Sequence, residues 1–157
     1  GHHRPFNDLG YAGVRIMEAH ENYNRQHQDI RTENSIEYGD VISGVNFKYA
    51  KKLTAVNAIN LASLGWSPKE PKNVKIGGAV KPSTKFKWEK PKNSKILGYK
   101  IYWRKTTSAF WENSRFVGDT NEFTLKGIVI DNYLFGISSV GNNYQESIIV
   151  FPKDVFN

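Results

Sequence analysis

Between His20 and Tyr38 the chain reads His-Glu-Asn-Tyr-Asn-Arg-Gln-His-Gln-Asp-Ile-Arg-Thr-Glu-Asn-Ser-Ile-Glu-Tyr, a polar stretch without an apolar period. His27 stands two residues before a carboxylate, Asp29, and further acids follow at Glu33 and Glu37. A neutral imidazole is a good zinc ligand, and a nearby carboxylate can orient the ring or share the metal. A loop histidine beside an aspartate is also a common solvated pair, so the residues alone leave both readings open. A connection this long inside a compact domain is usually functional or disordered.

The elements around this stretch read as follows. Pro5 to Gly10 is one helical turn, with proline at its start and glycine closing it. Ala12 to Met17 alternates as a strand would, and Glu18 ends it. Asn46 is a good N-cap for a helix through Leu64, with Gly65 as a left-handed cap and Pro68 preventing continuation. From Leu53 to Leu64 that helix carries no charge, so it wants a larger body to pack against. One strand and one helix make a marginal core. Residues 1–68 therefore read as a piece of a larger domain, and the proline-punctuated run from Ser67 to Lys72 reads as a linker.

From Val74 the apolar period switches to two. Seven short strands are expected: Val74–Ile76, Phe86–Trp88, Tyr99–Trp103, Phe116–Val117, Phe123–Leu125, Leu134–Val140 and Ile148–Phe151. Between them lie the turn signals Gly77-Gly78, Pro91-Lys92-Asn93, Gly118-Asp119, Asp131-Asn132 and Gly141-Asn142-Asn143. Spacing of this kind indicates an all-β sandwich over residues 69–157, with Trp88, Tyr99, Ile101 and Leu125 inside.

Charge divides the chain the same way. Residues 1–68 hold 7 Lys+Arg against 7 Asp+Glu, whereas residues 69–157 hold 15 against 8 and supply the whole net charge of +7. Most of those lysines alternate with core aromatics on strands, which is the pattern of a solvated sheet face. Specific nucleic-acid binding is not expected from it. A chain with 39% hydrophobic and 13% aromatic residues can build a core. No run of 18 apolar residues occurs, so no membrane span is expected. Zero cysteines exclude disulfides and thiolate chemistry. The chain opens on Gly1 without methionine, a processed or artificial start, so the lack of a signal peptide says nothing about export.

Three pieces of residues 1–68 match one family in order. His3-Arg4-Pro5-Phe6 with Gly10-Tyr11-Ala12 comes first, then Gln26-His27-Gln28-Asp29 with Glu33-Asn34 and Tyr38-Gly39-Asp40. Val45-Asn46-Phe47 and the helix to Leu64 complete the series. Together they resemble the C-terminal end of the two-zinc aminopeptidases, the exopeptidase family related to bacterial leucyl aminopeptidases and glutaminyl cyclases. The resemblance implies the last strand and last helix of a mixed-sheet, helix-sandwiched exopeptidase domain. It makes His27 the last ligand of one zinc ion and places His3 beside the active-site cleft. Asp29 would support the ligand, and Glu18, with His20, would line the cleft. Gln26 stands where many relatives carry an oxyanion-holding tyrosine, and His2 where they often carry an aspartate. The other ligands and the general-base glutamate would lie upstream, so no catalytic residue is expected in this fragment, which alone should not catalyse. The parent would be a secreted, periplasmic or cell-surface bacterial enzyme with two zinc ions, a peptide substrate and an N-terminal peptidase part that completes this one.

The second half resembles a fibronectin type III domain, on Trp88 before Pro91, Gly98 to Trp103, Tyr133 ahead of Gly136 to Val140, and Glu146-Ser147. That resemblance implies a central tryptophan and a tyrosine corner at Tyr133, although Ile128-Val129-Ile130 replaces the usual Leu-x-Pro. The expected architecture is thus an α/β fragment followed by an all-β fibronectin type III-like sandwich. The competing expectation is a non-catalytic binding or adhesion module for a protein, glycan or cell surface, with residues 1–68 a remnant.

Overall fold

The computed structural model describes residues 2–11, 13–92 and 94–156. Ala12, the start of the expected first strand, and Asn93, in the expected turn after Pro91, lie outside the described residues, as do the two chain ends. The chain forms two compact units, residues 1–59 and 60–157.

In the first unit, helix α1 (Arg4–Asp8) carries proline in its first turn, and Gly10 follows at φ 85°. The stretch from Gly13 to Met17 is not a strand but irregular chain, exposed from Val14 on. Alternation alone does not make a strand: the backbone needs a neighbour to take its hydrogen bonds, and no described segment pairs with this one. The polar region beyond it is instead partly regular. Strands β1 (Arg31–Glu33) and β2 (Ile36–Tyr38) form an antiparallel hairpin with Glu33 opposite Ile36. Its two-residue turn, Asn34-Ser35, has φ of 50° and 62°, the left-handed pair that matches strand twist.

Helix α2 (Phe47–Trp66) starts where expected. The Asn46 side-chain oxygen accepts the Tyr49 amide at 3.1 Å, and its carbonyl accepts the Ala50 amide at 2.9 Å. It ends later than Gly65, which is helical rather than a left-handed cap. The last turn is closed by Ser67 instead, whose amide reaches the Leu64 carbonyl at 3.3 Å. The Ser67 hydroxyl lies 2.6 Å from the Ser63 carbonyl oxygen and 2.7 Å from that of Glu146. No residue of α2 is fully buried, and Val56, Ile59, Leu61 and Leu64 are all exposed.

The second unit contains two sheets. Strands β3 (Lys72–Gly77), β4 (Ser83–Glu89), β7 (Glu122–Lys126) and β9 (Asp154–Phe156) form one, in the order β7-β4-β3-β9. Strands β5 (Ile96–Lys105), β6 (Asn113–Gly118) and β8 (Tyr133–Gly141) form the other, in the order β6-β5-β8. Inward residues of both sheets make the core. Phe86, Tyr99, Ile101 and Ile137 are fully enclosed, Leu125 and Trp88 nearly so. Phe86 meets Phe135 edge-on with centroids 5.4 Å apart, and Trp88 meets Tyr99 at 5.0 Å. This is a fibronectin type III-like β-sandwich with the expected core.

Two details differ from expectation. Residues 148–151 are not a continuous strand; single bridges join Val150 to Ile137 and Glu146 to Val140. The chain then crosses to the other sheet, where β9 pairs parallel with β3. Tyr133 stands at the start of β8 with its ring 6.2 Å from that of Phe135. Among the described residues its hydroxyl makes no bond to upstream backbone, so the corner is a packing contact. Thr84 ties this end instead, its hydroxyl donating to the Ile128 carbonyl at 2.7 Å.

Candidate functional site

The segment carrying His27 is built from its own backbone. The Asn22 carbonyl accepts the amides of Arg25 and Gln26 at 3.0 and 3.3 Å, and its side-chain oxygen accepts the Asn24 amide at 3.1 Å. The turn ends at His27, whose φ of 53° lies in the left-handed region rarely used by residues other than glycine. The Gly39 amide donates to the Asn24 carbonyl at 2.9 Å and clips the turn to the end of β2. His27 and Asp29 are both exposed.

The other acids of the segment are engaged. Arg25 donates to Glu37 at 2.9 Å, and the Ser43 hydroxyl reaches the same oxygen at 3.2 Å. The Arg25 guanidinium and this hydroxyl hold the Glu37 carboxyl below the usual carboxylate range. Arg31 pairs with Glu33 at 3.2 Å, donates to the Gln28 amide oxygen at 3.1 Å and lies 4.0 Å over the Tyr38 ring. Two arginines thus neutralise Glu33 and Glu37 and leave His27 and Asp29 open to an incoming group.

The remaining candidates are placed separately. His3 is half-buried before α1, its carbonyl accepting the Asn7 amide at 3.1 Å while the Asn7 side chain accepts the Gly13 amide at 2.7 Å. Glu18 lines an open cleft of about 510 Å³ with Arg15, Glu21, Arg25, Gln26 and Asp40. Within that cleft Arg15 and Glu21 pair at 2.9 Å. Of the sequence candidates, the fold therefore brings Glu18 and Gln26 to one cleft. His27 follows Gln26 in the chain without lining it, and His3 and Asp29 do not line it either. Among the described residues no group of three or more His, Cys, Asp or Glu is placed to hold a metal ion. A zinc ion takes three or four protein ligands, so this part of the chain by itself does not build a zinc centre.

The most organised polar cluster lies elsewhere and was not singled out from sequence. The Glu146 carboxylate accepts the Tyr102 hydroxyl, the Lys100 ammonium at 3.0 Å and the Ser138 hydroxyl at 3.0 Å. Burial pushes the Glu146 pKa up, but these donors outweigh it and hold the carboxyl below the ordinary range. Lys100 is pushed up by its bond to Glu146, and Tyr102 by burial and by the same carboxylate. Beside the cluster Trp111 lies 5.8 Å from Tyr102 and 5.5 Å from Phe151, with Arg104 over its ring. Gly136 makes room there: a Cβ would sit 3.0 Å from the Trp111 ring and 2.4 Å from Ile149. With every charge satisfied internally, this cluster pins the last stretch of the sandwich to β5. Strand alternation puts Lys100 and Tyr102 on one face, and the sequence marks Glu146 only through the type III resemblance, with nothing local to show what its carboxylate accepts.

No family model matches the chain. It is 40% identical over 153 residues to a probable zinc metalloprotease of Leptosphaeria maculans, an alignment covering 97% of this chain and 35% of that protein. A probable zinc metalloprotease of Phaeosphaeria nodorum is 37% identical over 155 residues, with 97% and 31% covered. One from Pyrenophora tritici-repentis is 36% identical over 155 residues, with 97% and 36% covered. The chain spans about a third of the length of these curated relatives. Among solved structures, titin module A71 from human cardiac muscle is 24% identical with a TM-score of 0.43, covering 50% of this chain and 81% of that one. The fn3 domain of human collagen alpha-1(XX) is 17% identical with a TM-score of 0.44, covering 59% and 90%. The relatives named are fungal, so the bacterial source implied by the sequence resemblance has no support from them. Over nearly its whole length, then, the chain matches part of fungal proteins described as probable zinc metalloproteases, and its last 85 or so residues are a fibronectin type III-like sandwich.

Proposed function

We propose that this chain is the C-terminal part of a zinc aminopeptidase that removes N-terminal residues from peptides, followed by a type III module. The observation that carries the reading is His27: an exposed imidazole on a turn fixed by its own backbone, with the neighbouring acids Glu33 and Glu37 taken up by arginines. It sits in a segment that aligns with zinc metalloproteases. His27 supplies one ligand, and the remaining ligands and the general base come from the rest of the longer protein. Asp29 is close enough in sequence to support the ring, and Glu18 and Gln26 border the cleft. When bound, zinc polarises the scissile carbonyl and activates water. His27 holds its place through the left-handed turn, and no catalytic group comes from this chain. The exposed apolar residues of α2 also favour this reading, since they form the surface that the rest of the peptidase domain would cover. The enzyme is secreted or held at the cell surface.

The test is substrate choice by the full-length protein. Peptides with a free N-terminal amine should lose their first residue, and N-acetylated versions should stay intact. Cleavage of internal bonds in the acetylated peptides would make the protein an endopeptidase and overturn the reading. A second reading, a binding module for a protein, glycan or cell surface, is favoured by one feature, the basic outer face of the sandwich.

A further inference from the structure

The outer face of the four-stranded sheet concentrates positive charge in a way the fold does not require. Inward residues Val74, Ile76, Phe86 and Trp88 leave Lys75, Lys85 and Lys87 on the opposite face. Register sets Lys75 directly across from Lys87, and like charges in that position destabilise a sheet. Only partial relief is available. Lys85 pairs with Glu122 at 3.2 Å, and Lys75 lies 4.0 Å from Asp154. Lys87 makes no ion pair within 4 Å among the described residues, although register sets Glu122 across from it on β7, and its ammonium lies 5.2 Å over the Phe156 ring.

Lys85 and Lys87 border a cleft of about 450 Å³, lined also by Lys81, Ser83, Thr124 and Phe156. Its shape depends on Gly77, where a Cβ would sit 2.5 Å from the Phe156 carbonyl oxygen and 3.0 Å from its ring. The missing side chain lets β9 lie close and puts an aromatic wall beside the Lys87 ammonium.

We propose that this cleft binds acidic polypeptide segments in extended conformation. Lys85 and Lys87 are alternate residues of one strand, so they repeat every ~6.8 Å, the spacing of alternate side chains in an extended peptide. Carboxylates at alternate positions of such a peptide meet both lysines, and an apolar side chain between them meets Phe156. The anions these lysines take within the chain, Glu122 and Asp154, are carboxylates. The bidentate guanidinium fork suited to phosphate or sulfate is absent from the cleft lining. Arg104 and Arg115, the arginines of the sandwich, lie over Trp111 and Phe123 instead. The proposal names a ligand for the module half of the reading above and does not involve His27.

The test is a titration of the whole chain with a fluorescein-labelled peptide of alternating Glu and Thr at ~50 mM salt. Binding should occur and fade as salt rises. Lys85→Gln/Lys87→Gln should weaken it about five- to tenfold, while Lys85→Arg/Lys87→Arg should stay within about twofold. Lys92→Gln/Lys95→Gln removes the same charge at exposed positions away from the cleft and should leave binding unchanged. Equal weakening by the two Gln pairs would reduce the effect to net charge and overturn the proposal. So would absence of binding, or tighter binding of a sulfated glycan or single-stranded DNA of equal charge. Each of these failures leaves the peptidase reading untouched, and failure of that reading leaves this titration unchanged.

Discussion

Strand β8 and helix α2 are both rich in apolar and small residues, yet seven of nine positions in β8 are buried and none in α2 is. The difference is one of neighbours. β8 pairs along its length with β5 and faces a second sheet, so its side chains meet Phe86, Tyr99 and Ile101. Along α2, Val56, Ile59, Leu61 and Leu64 point away from any described cover. Apolar content in a sequence states a demand for burial; only the rest of the fold determines whether it is met. The sandwich is complete in this respect, whereas among the described residues nothing covers the apolar side chains of α2.

The largest expected effect is in the sandwich core. Trp88→Ala should destabilise it by about 3–5 kcal/mol, read from urea denaturation, because the ring packs edge-on against enclosed Tyr99. The same packing acts on the Tyr99 phenol, which burial and the nearby Asp119 charge push up to about 12. Because the folded value is raised, this stability is complete below about pH 10 and is lost as pH climbs towards 12. An unfolding midpoint indifferent to alkaline pH would contradict the burial of that hydroxyl.

A middle effect is expected at Glu146. Glu146→Ala leaves Lys100, Tyr102 and Ser138 without their acceptor and should cost about 1–3 kcal/mol. Since the folded carboxyl titrates below its ordinary value, its contribution is present above about pH 4.5 and is lost as pH falls below that. The wild-type acid limb should therefore flatten in Glu146→Gln. An unchanged limb would show that the donors do not stabilise the ionised form.

The smallest effect on stability should come from α2. Ile59→Lys with Leu61→Lys should change unfolding free energy by no more than about 0.5 kcal/mol, since both side chains are exposed. The exposed apolar face of α2 should make the chain self-associate, and the same pair should suppress this, read by sedimentation. A loss of stability comparable to Trp88→Ala would mean that this face is already packed, and the contrast with β8 would collapse.

These contrasts also explain what was legible beforehand. Period-two alternation located six of the seven expected sandwich strands, Ile148–Phe151 being the exception, and Trp88, Tyr99, Ile101 and Leu125 fall inside as expected, because pairing there is regular and both faces are defined. Asn46 was readable because a cap acts within one turn. Residues 13–17 were misread since alternation cannot reveal whether a pairing strand exists. The β1–β2 hairpin was hidden by its polar composition, Arg-Thr-Glu and Ile-Glu-Tyr. β9 and the donors that Glu146 gathers are not legible because their partners, β3 and β5, lie far away in sequence. Candidate-site residues were named from motif order, which gives identity but not proximity: Glu18 and Gln26 share a cleft, and His3 and Asp29 do not join it.

The central claim is that His27 gives this chain its share of a zinc centre. The direct measurement is zinc stoichiometry of the full-length protein by metal analysis, wild type beside His27→Ala. The exposed position of His27 predicts that the variant folds normally, with the sandwich unfolding as in wild type. It should then lose one of the two zinc ions expected per chain, and its hydrolysis of free-amine peptides should fall with it. Full zinc content and undiminished turnover in His27→Ala would show that the imidazole is a solvated surface group.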